Sequence, residues 1–160
     1  MTVAGVDYGV RRIAYSHPDA DHFDELIIKH KDDSLALLEM SEWLSKKIKA
    51  TRPELVVIEH PIQGASRNVR TAMSMSMVAG VLVVTSLKLK KKTEMVWPST
   101  WKKDVLGHGY ADKETISEWL ARRHPKYYEA CSAFSKPQDV IDATCIALYG
   151  KKGLARLRLL

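Results

Sequence analysis

The chain of 160 residues carries 46% hydrophobic and 28% charged side chains and a formal net charge of +6, proportions that suit one folded domain and exclude a disordered tail, a collagen-like repeat or two full domains on a long linker. Its longest apolar run, Met77 to Leu87, is interrupted by Thr85 and Ser86 and falls short of the ~20 residues that span a bilayer, so no membrane-spanning role is expected. No basic head or apolar leader is visible at the N-terminus and only Cys131 and Cys145 are present, without zinc spacing, which reads as a cytoplasmic, intracellular protein with two buried thiols.

Val3 to Val6 reads as a short apolar strand ending at Asp7, and after the Tyr8-Gly9 turn a second strand through Ile13 to Ser16 completes a hairpin. The polar stretch His17 to Asp24 is a loop, followed by a third strand of Leu26, Ile27 and Ile28. Ser34 caps a helix in which Leu35, Leu38, Leu44 and Ile48 recur at helical spacing before Pro53. Leu55 to Ile58 form a continuous apolar strand that stops at Glu59, as strands covered on both faces do. From Ala65 to about Leu87 runs a long helix on which Met73, Met77, Gly80 and Val84 share a face, suited to core packing or to contact with a second copy.

Thr93 to Trp97 is a fifth strand, ended by Pro98; Trp101-Lys102-Lys103 and a loop with Gly107 and Gly109 follow, and Asp112 caps a helix through Ile116, Leu120 and Arg123. Pro137 opens the last helix and Gly150 marks its exit, leaving a basic tail from about residue 151. The order implies a single α/β domain over 1–160, a mixed five-stranded sheet flanked by helices.

Asp7 and Glu59 stand at the carboxyl ends of strands that otherwise read as buried, the edge where α/β sheets bind ligands. Asp139 and Asp142 lie three apart on one face of an otherwise apolar helix; the first also suits the helix dipole, an explanation that is weaker for the second, deeper in the helix. Carboxylates converging from two strands and a helix point to hard divalent cations, Mg²⁺ or Mn²⁺, and a pair of such ions activates water and stabilises the leaving oxygen of a phosphodiester.

The charge distribution fits a polyanionic substrate. Residues 1–80 carry ten basic and eleven acidic side chains, residues 81–160 fifteen and eight. The excess gathers at Lys88, Lys90, Lys91 and Lys92, at Lys102 and Lys103, and at Lys151, Lys152, Arg156 and Arg158, where it serves either DNA binding or solubility. Arg67 and Arg70, at the start of the long helix, have the same two readings. His60 reads as a packed or surface residue. The tryptophans Trp43, Trp97, Trp101 and Trp119 read as core, with Trp101, beside Lys102, the candidate to stack on a base.

The segments VAGVDYGVRRIAYS (3–16), LVVIEHP (55–61), PSTWKKDVLGHGYADKE (98–114) and QDVIDATCIALYG (138–150) together resemble the RuvC family of Holliday junction resolvases, of the ribonuclease H-like superfamily. The resemblance implies that Asp7, Glu59, Asp139 and Asp142 are a metal-binding catalytic tetrad, with Asp7 bridging two Mg²⁺ ions. It also implies that Lys102 and Lys113 lie near the scissile phosphate, with Lys103 an adjacent candidate. A homodimer through the long helix 65–87 would then present two sites to a four-way DNA junction for paired, symmetric nicks.

One departure stands out. Family members carry an aromatic residue shortly after the second acid that helps open the junction, whereas here Glu59 is followed by His60, Pro61, Ile62, Gln63 and Gly64. Weaker sequence selectivity and activity on flaps or forks are the expected consequences. The compactness and divergence of the chain suit a phage-encoded member. Two other readings are a catalytically inactive binder of branched DNA and an actin-like ATPase or sugar kinase; the latter lacks a second domain and any G-x-x-x-x-G-K-[ST] loop. The opening D-Y-G-x-R-R-I is shared with the YqgF-type fold, from which the acid Glu59 separates this chain.

Overall fold

A computed structural model of the chain describes residues 1–61 and 68–157, with side chains as far as Leu154. Five strands form one sheet in the order β3-β2-β1-β4-β5. β1 (Val3–Gly9), β2 (Arg12–His17) and β3 (His22–Ile27) are an antiparallel meander, and β4 (Leu55–Glu59) and β5 (Lys92–Val96) run parallel to β1. The parallel strands need crossovers, which α1 (Asp33–Thr51) and α2 (Val69–Lys88) supply. α3 (Pro98–Leu106), α4 (Lys113–Arg123), α5 (Pro125–Ser132) and α6 (Pro137–Leu157) follow β5.

Alternation along the strands sends each residue to one of two cores. Ala4, Val6, Tyr8, Val56 and Ile58 pack with Met40, Leu44, Val78 and Leu82 of α1 and α2. Val3, Leu55 and Val57 pack with Trp101, Ile116, Leu120, Val140 and Ile146 on the opposite face. Asp7, in phase with Val3, and Glu59, in phase with Leu55 and Val57, therefore face the α3–α6 side. Cys131 and Cys145 are both free and buried, as the sequence suggests.

Several boundaries differ from those read in the sequence. The third strand starts four residues earlier, at His22, because the loop before it is only a 3-10 turn, Pro18–Ala20, closed by Asp21 in the left-handed region (φ 49°). Asp32, not Ser34, caps α1, its carboxylate accepting from the Leu35 N–H at 2.9 Å. β5 ends at Val96, and Trp97 already serves as N-cap of α3, a helix in a stretch to which the sequence pattern assigns no element. α5 was likewise not anticipated. α2 begins at Val69, and residues 62–67, which include the expected helix start at Ala65, lie outside the described residues.

The last helix does not stop at Gly150 but continues to Leu157. Gly150 is a packing residue: a Cβ there would lie 2.7 Å from Val57 Cγ2 and 2.8 Å from Val3 Cγ1. Lys151 and Lys152 thus belong to a helix, where the first pairs with Asp19 and the second donates to the Asp104 carbonyl at 2.6 Å. α2 is long and apolar enough, by length and composition alone, to cross a membrane. One of its faces is spent on the sheet through Val78, Ala79 and Leu82.

Candidate active site

The parallel register that pairs Val6 with Ile58 brings the next residues, Asp7 and Glu59, side by side at the carboxyl edge of the two central strands. Above them lies the first turn of α6. That helix can come down this far because Gly5 has no side chain: a Cβ at Gly5 would stand 2.0 Å from the Ala143 carbonyl oxygen and 2.5 Å from the Ala147 nitrogen. The close approach lowers Asp139 and Asp142 onto the edge that carries Asp7 and Glu59.

Asp7 is only 7% exposed. Burial, then repulsion from Glu59, Asp142 and Asp139, holds its carboxyl well above the usual carboxylate range, with Arg12 opposing. Burial likewise pushes Glu59 up to about 7, against the Trp101 hydrogen bond and the Lys102 and Arg12 charges, with Asp142 adding to the rise. Asp142 is raised to about 6, chiefly by burial and further by Asp139, against a hydrogen bond from Gln138 and the charges of Lys102 and Lys113. The four acids thus share one electrostatic environment, and Lys102 and Lys113 act on it. Tyr8 extends the network: its hydroxyl donates to the Glu59 carbonyl at 2.8 Å, and burial together with Glu59 and Asp7 raises its pKa.

Each carboxylate also has a protein partner. Arg12 Nη1 lies 2.6 Å from Asp139 Oδ1 and 3.5 Å from Asp7 Oδ2. The Trp101 indole N–H donates to Glu59 Oε2 at 2.6 Å, and the Gln138 amide donates to Asp142 Oδ1 at 2.8 Å. Accordingly, among the described residues no group of three or more His, Cys, Asp or Glu side chains stands arranged as a ligand set for a metal ion. The donor chemistry nonetheless fits a hard divalent cation: the groups are all oxygen donors, Asp7 is buried and the other three half-buried, and their mutual repulsion is only partly offset by Arg12, Lys102 and Lys113.

The other candidates are distributed unevenly. Lys102 sits half-buried on α3 with its ammonium 5.6 Å from the Trp101 ring centre, and Lys113 opens α4. Lys103 is exposed, on the side of α3 that lines a cleft with Ser99, Tyr110 and Tyr149. Arg70 is exposed on the first turn of α2, and Arg67 lies outside the described residues, as does Arg158. Lys88, Lys90, Lys91 and Lys92 are not brought to the acids. Lys92 pairs with Leu55 at the opposite end of β4 from Glu59, ~13 Å away at strand rise.

Trp101 corrects a sequence expectation. It is fully buried and spends its N–H on Glu59, so it has no face to offer a base. Trp97, read as core, is the exposed one, at 53%, and is stacked on His60. Arg12 and Gln138 were missed, although strand alternation with Ala14 and the four-residue step to Asp142 were signals that point to them.

Among known proteins, the family model described as crossover junction endodeoxyribonuclease RuvC matches residues 3–149. A Corynebacterium diphtheriae protein of that name is 31% identical over 119 residues, covering 74% of this chain and 69% of its own length. One from Rhodococcus opacus is 29% identical over 157 residues, covering 92% and 79%. These relatives are bacterial, and nothing in them supports a phage origin. Among solved structures, that of Thermus thermophilus RuvC with a Holliday junction substrate superposes with a TM-score of 0.73 at 19% identity, covering 93% of this chain and 92% of that one. The yeast mitochondrial Holliday junction resolvase Ydc2 gives a TM-score of 0.64 at 14% identity, covering 98% and 80%. At these identities the two structures speak for the ribonuclease H-like fold.

Proposed function

This chain belongs to the RuvC family, and from that premise we propose that it is a structure-selective endonuclease that resolves four-way DNA junctions by paired, symmetric nicks. The observation that carries the reading is the meeting of Asp7, Glu59, Asp139 and Asp142 in one partly buried, mutually repelling cluster at the carboxyl edge of β1 and β4.

Asp7, Glu59, Asp139 and Asp142 are the residues to hold divalent cations, Mg²⁺ or Mn²⁺, two per site. Such ions supply an activated water and charge for the departing oxygen of the phosphodiester. The chain's own contribution is placement and charge. Trp101 fixes the orientation of Glu59, and Gln138 that of Asp142. Lys102 and Lys113, the cations that act on Asp142, hold the scissile phosphate and offset the negative charge that develops on it. The exposed apolar face of α2, with Val69, Met73, Met77, Val84 and Leu87, joins a second copy, so that two equivalent sites meet two strands of a junction. The setting is intracellular.

Purified protein incubated with end-labelled four-way and linear DNA is expected to give paired nicks in the junction only, and only with Mg²⁺ present. Asp7→Asn and Asp142→Asn should bind the junction and lose at least ~10³-fold in cleavage, the scale of a lost electrostatic contribution to the transition state. Nicking that persists in both variants removes the mechanism; junction binding with no cleavage by the wild type favours the inactive-binder reading.

A further inference from the structure

At the rim of the carboxylate cluster, the chains leaving β4 and β5 run side by side. Glu59 pairs with Val96 in the parallel register, so the next residues, His60 and Trp97, are neighbours. The His60 N–H donates to the Val96 carbonyl at 2.8 Å. The two rings lie nearly parallel, with centroids 4.1 Å apart and planes 12° from each other. Trp97 is anchored from the other side as well: it caps α3, its carbonyl accepting from the Thr100 and Trp101 N–H groups at 3.0 and 3.1 Å, and Pro98 follows at the first helical position. Its backbone is held on both flanks, while more than half of the residue faces solvent.

A tryptophan so placed is costly surface. Its ring is large and apolar, one side is backed by His60, and His60 directly follows Glu59. Trp101, one helical turn further along α3, is tied to that same carboxylate from beneath. Trp101 within α3 and Trp97 at its N-cap therefore divide the work, the inner one fixing an acid and the outer one left exposed beside it.

We propose that Trp97, backed by His60, is a stacking platform for a nucleobase of the DNA strand whose phosphate enters the cluster. An aromatic face held rigid before binding loses little entropy when a base settles on it. Stacking of this kind accepts any base, because every base has a π face. A base that has lost a stacking neighbour, as at a branch point, gains most from the platform. The inference rests on the nuclease reading for the identity of the strand, but its geometry is independent of cleavage.

The test runs in chelator, where no cutting intervenes. Full-length protein is titrated against a four-way junction and against linear duplex of the same sequence, and the junction is also prepared with 5-iododeoxyuridine at the positions flanking the branch point for photocrosslinking. Trp97→Ala is expected to weaken junction binding roughly 5- to 150-fold, the range that one base–aromatic stack represents. Duplex binding should stay within twofold. Trp97→Phe should retain most of the affinity, and the wild-type adduct should map to Trp97. Unchanged junction affinity in Trp97→Ala, or an adduct that maps elsewhere, overturns the proposal. An equal loss on duplex and junction overturns it too, by making Trp97 a general contact. Whether the wild type nicks the junction once Mg²⁺ is added is scored separately, so failure of the nuclease reading leaves the binding comparison intact.

Discussion

Arg12 is paired with two of the four acids, and its guanidinium sits where a cation is wanted. It is a monovalent substitute: it offsets part of the repulsion among Asp7, Asp139 and their neighbours, yet leaves Asp7 raised. Divalent ions held by the cluster as proposed would compete with it for the same oxygens. Arg12→Gln should therefore lower metal-free stability by only about 1 kcal/mol, since the side chain is 39% exposed and solvent screens the pair. The same variant should bind Mn²⁺ tighter, on the order of tenfold, the factor that ~1.4 kcal/mol represents. Urea melts in chelator and calorimetric or spin-resonance titration with Mn²⁺ check the two effects, and an unchanged Mn²⁺ affinity means that Arg12 stays in place when ions bind. The acids themselves were legible in the sequence because strand-end and buried-helix positions are costly places for carboxylates. Arg12 was harder to see because it sits next to Arg11 after a turn, and only the register, which sends Arg11 outward to Asp33, separates the two.

Among the elements, α6 carries the greatest structural demand, since it must lie almost on the backbone of β1. Gly5→Ala forces the two apart, because the atoms in the way are main chain and cannot rotate aside. The expected cost is about 3 kcal/mol or more, beyond the usual penalty for overpacking, read as a shift in the urea midpoint. Gly80, on the outer side of α2, meets nothing within 4 Å. In the single chain Gly80→Ala should instead gain about 0.5–1 kcal/mol from the better helix former, a gain to be read on the Met77→Glu background because Gly80 shares the face proposed to meet a second copy. The long periodic helices and the apolar strands were readable because their patterns repeat. α3 and α5 were not, being only nine and eight residues long and opening at prolines that read equally well as loop punctuation. The overrun of α6 past Gly150 was hidden for another reason: a glycine selected for contact with Val57 and Val3 looks, in sequence, like a helix stop.

For the whole molecule, the proposed dimer rests on the exposed face of α2. Met73 is 64% and Met77 54% exposed, on the same stripe as Val69, Val84 and Leu87. Sedimentation should find the protein at twice the chain mass, and Met77→Glu should return it to the monomer mass without moving its thermal midpoint by more than a few degrees. A wild type that sediments as a monomer at micromolar concentration sinks the paired-nick geometry, while single nicks remain open to it. The site was more legible than this surface, because four acids in apolar company announce a cost that must be met, whereas methionines on a helix fit an interior or an interface equally well.

The sheet separates two sets of packed side chains, one beneath α1 and α2 and the other beneath α3 to α6. Among the described residues, Tyr8 links the first side to the acids, through its hydroxyl on the Glu59 carbonyl. If α2 forms the proposed dimer contact, substitutions at Met73 or Met77 that spare Tyr8 can be used to redesign the quaternary arrangement while the acids keep their places, as an engine block accepts different mountings.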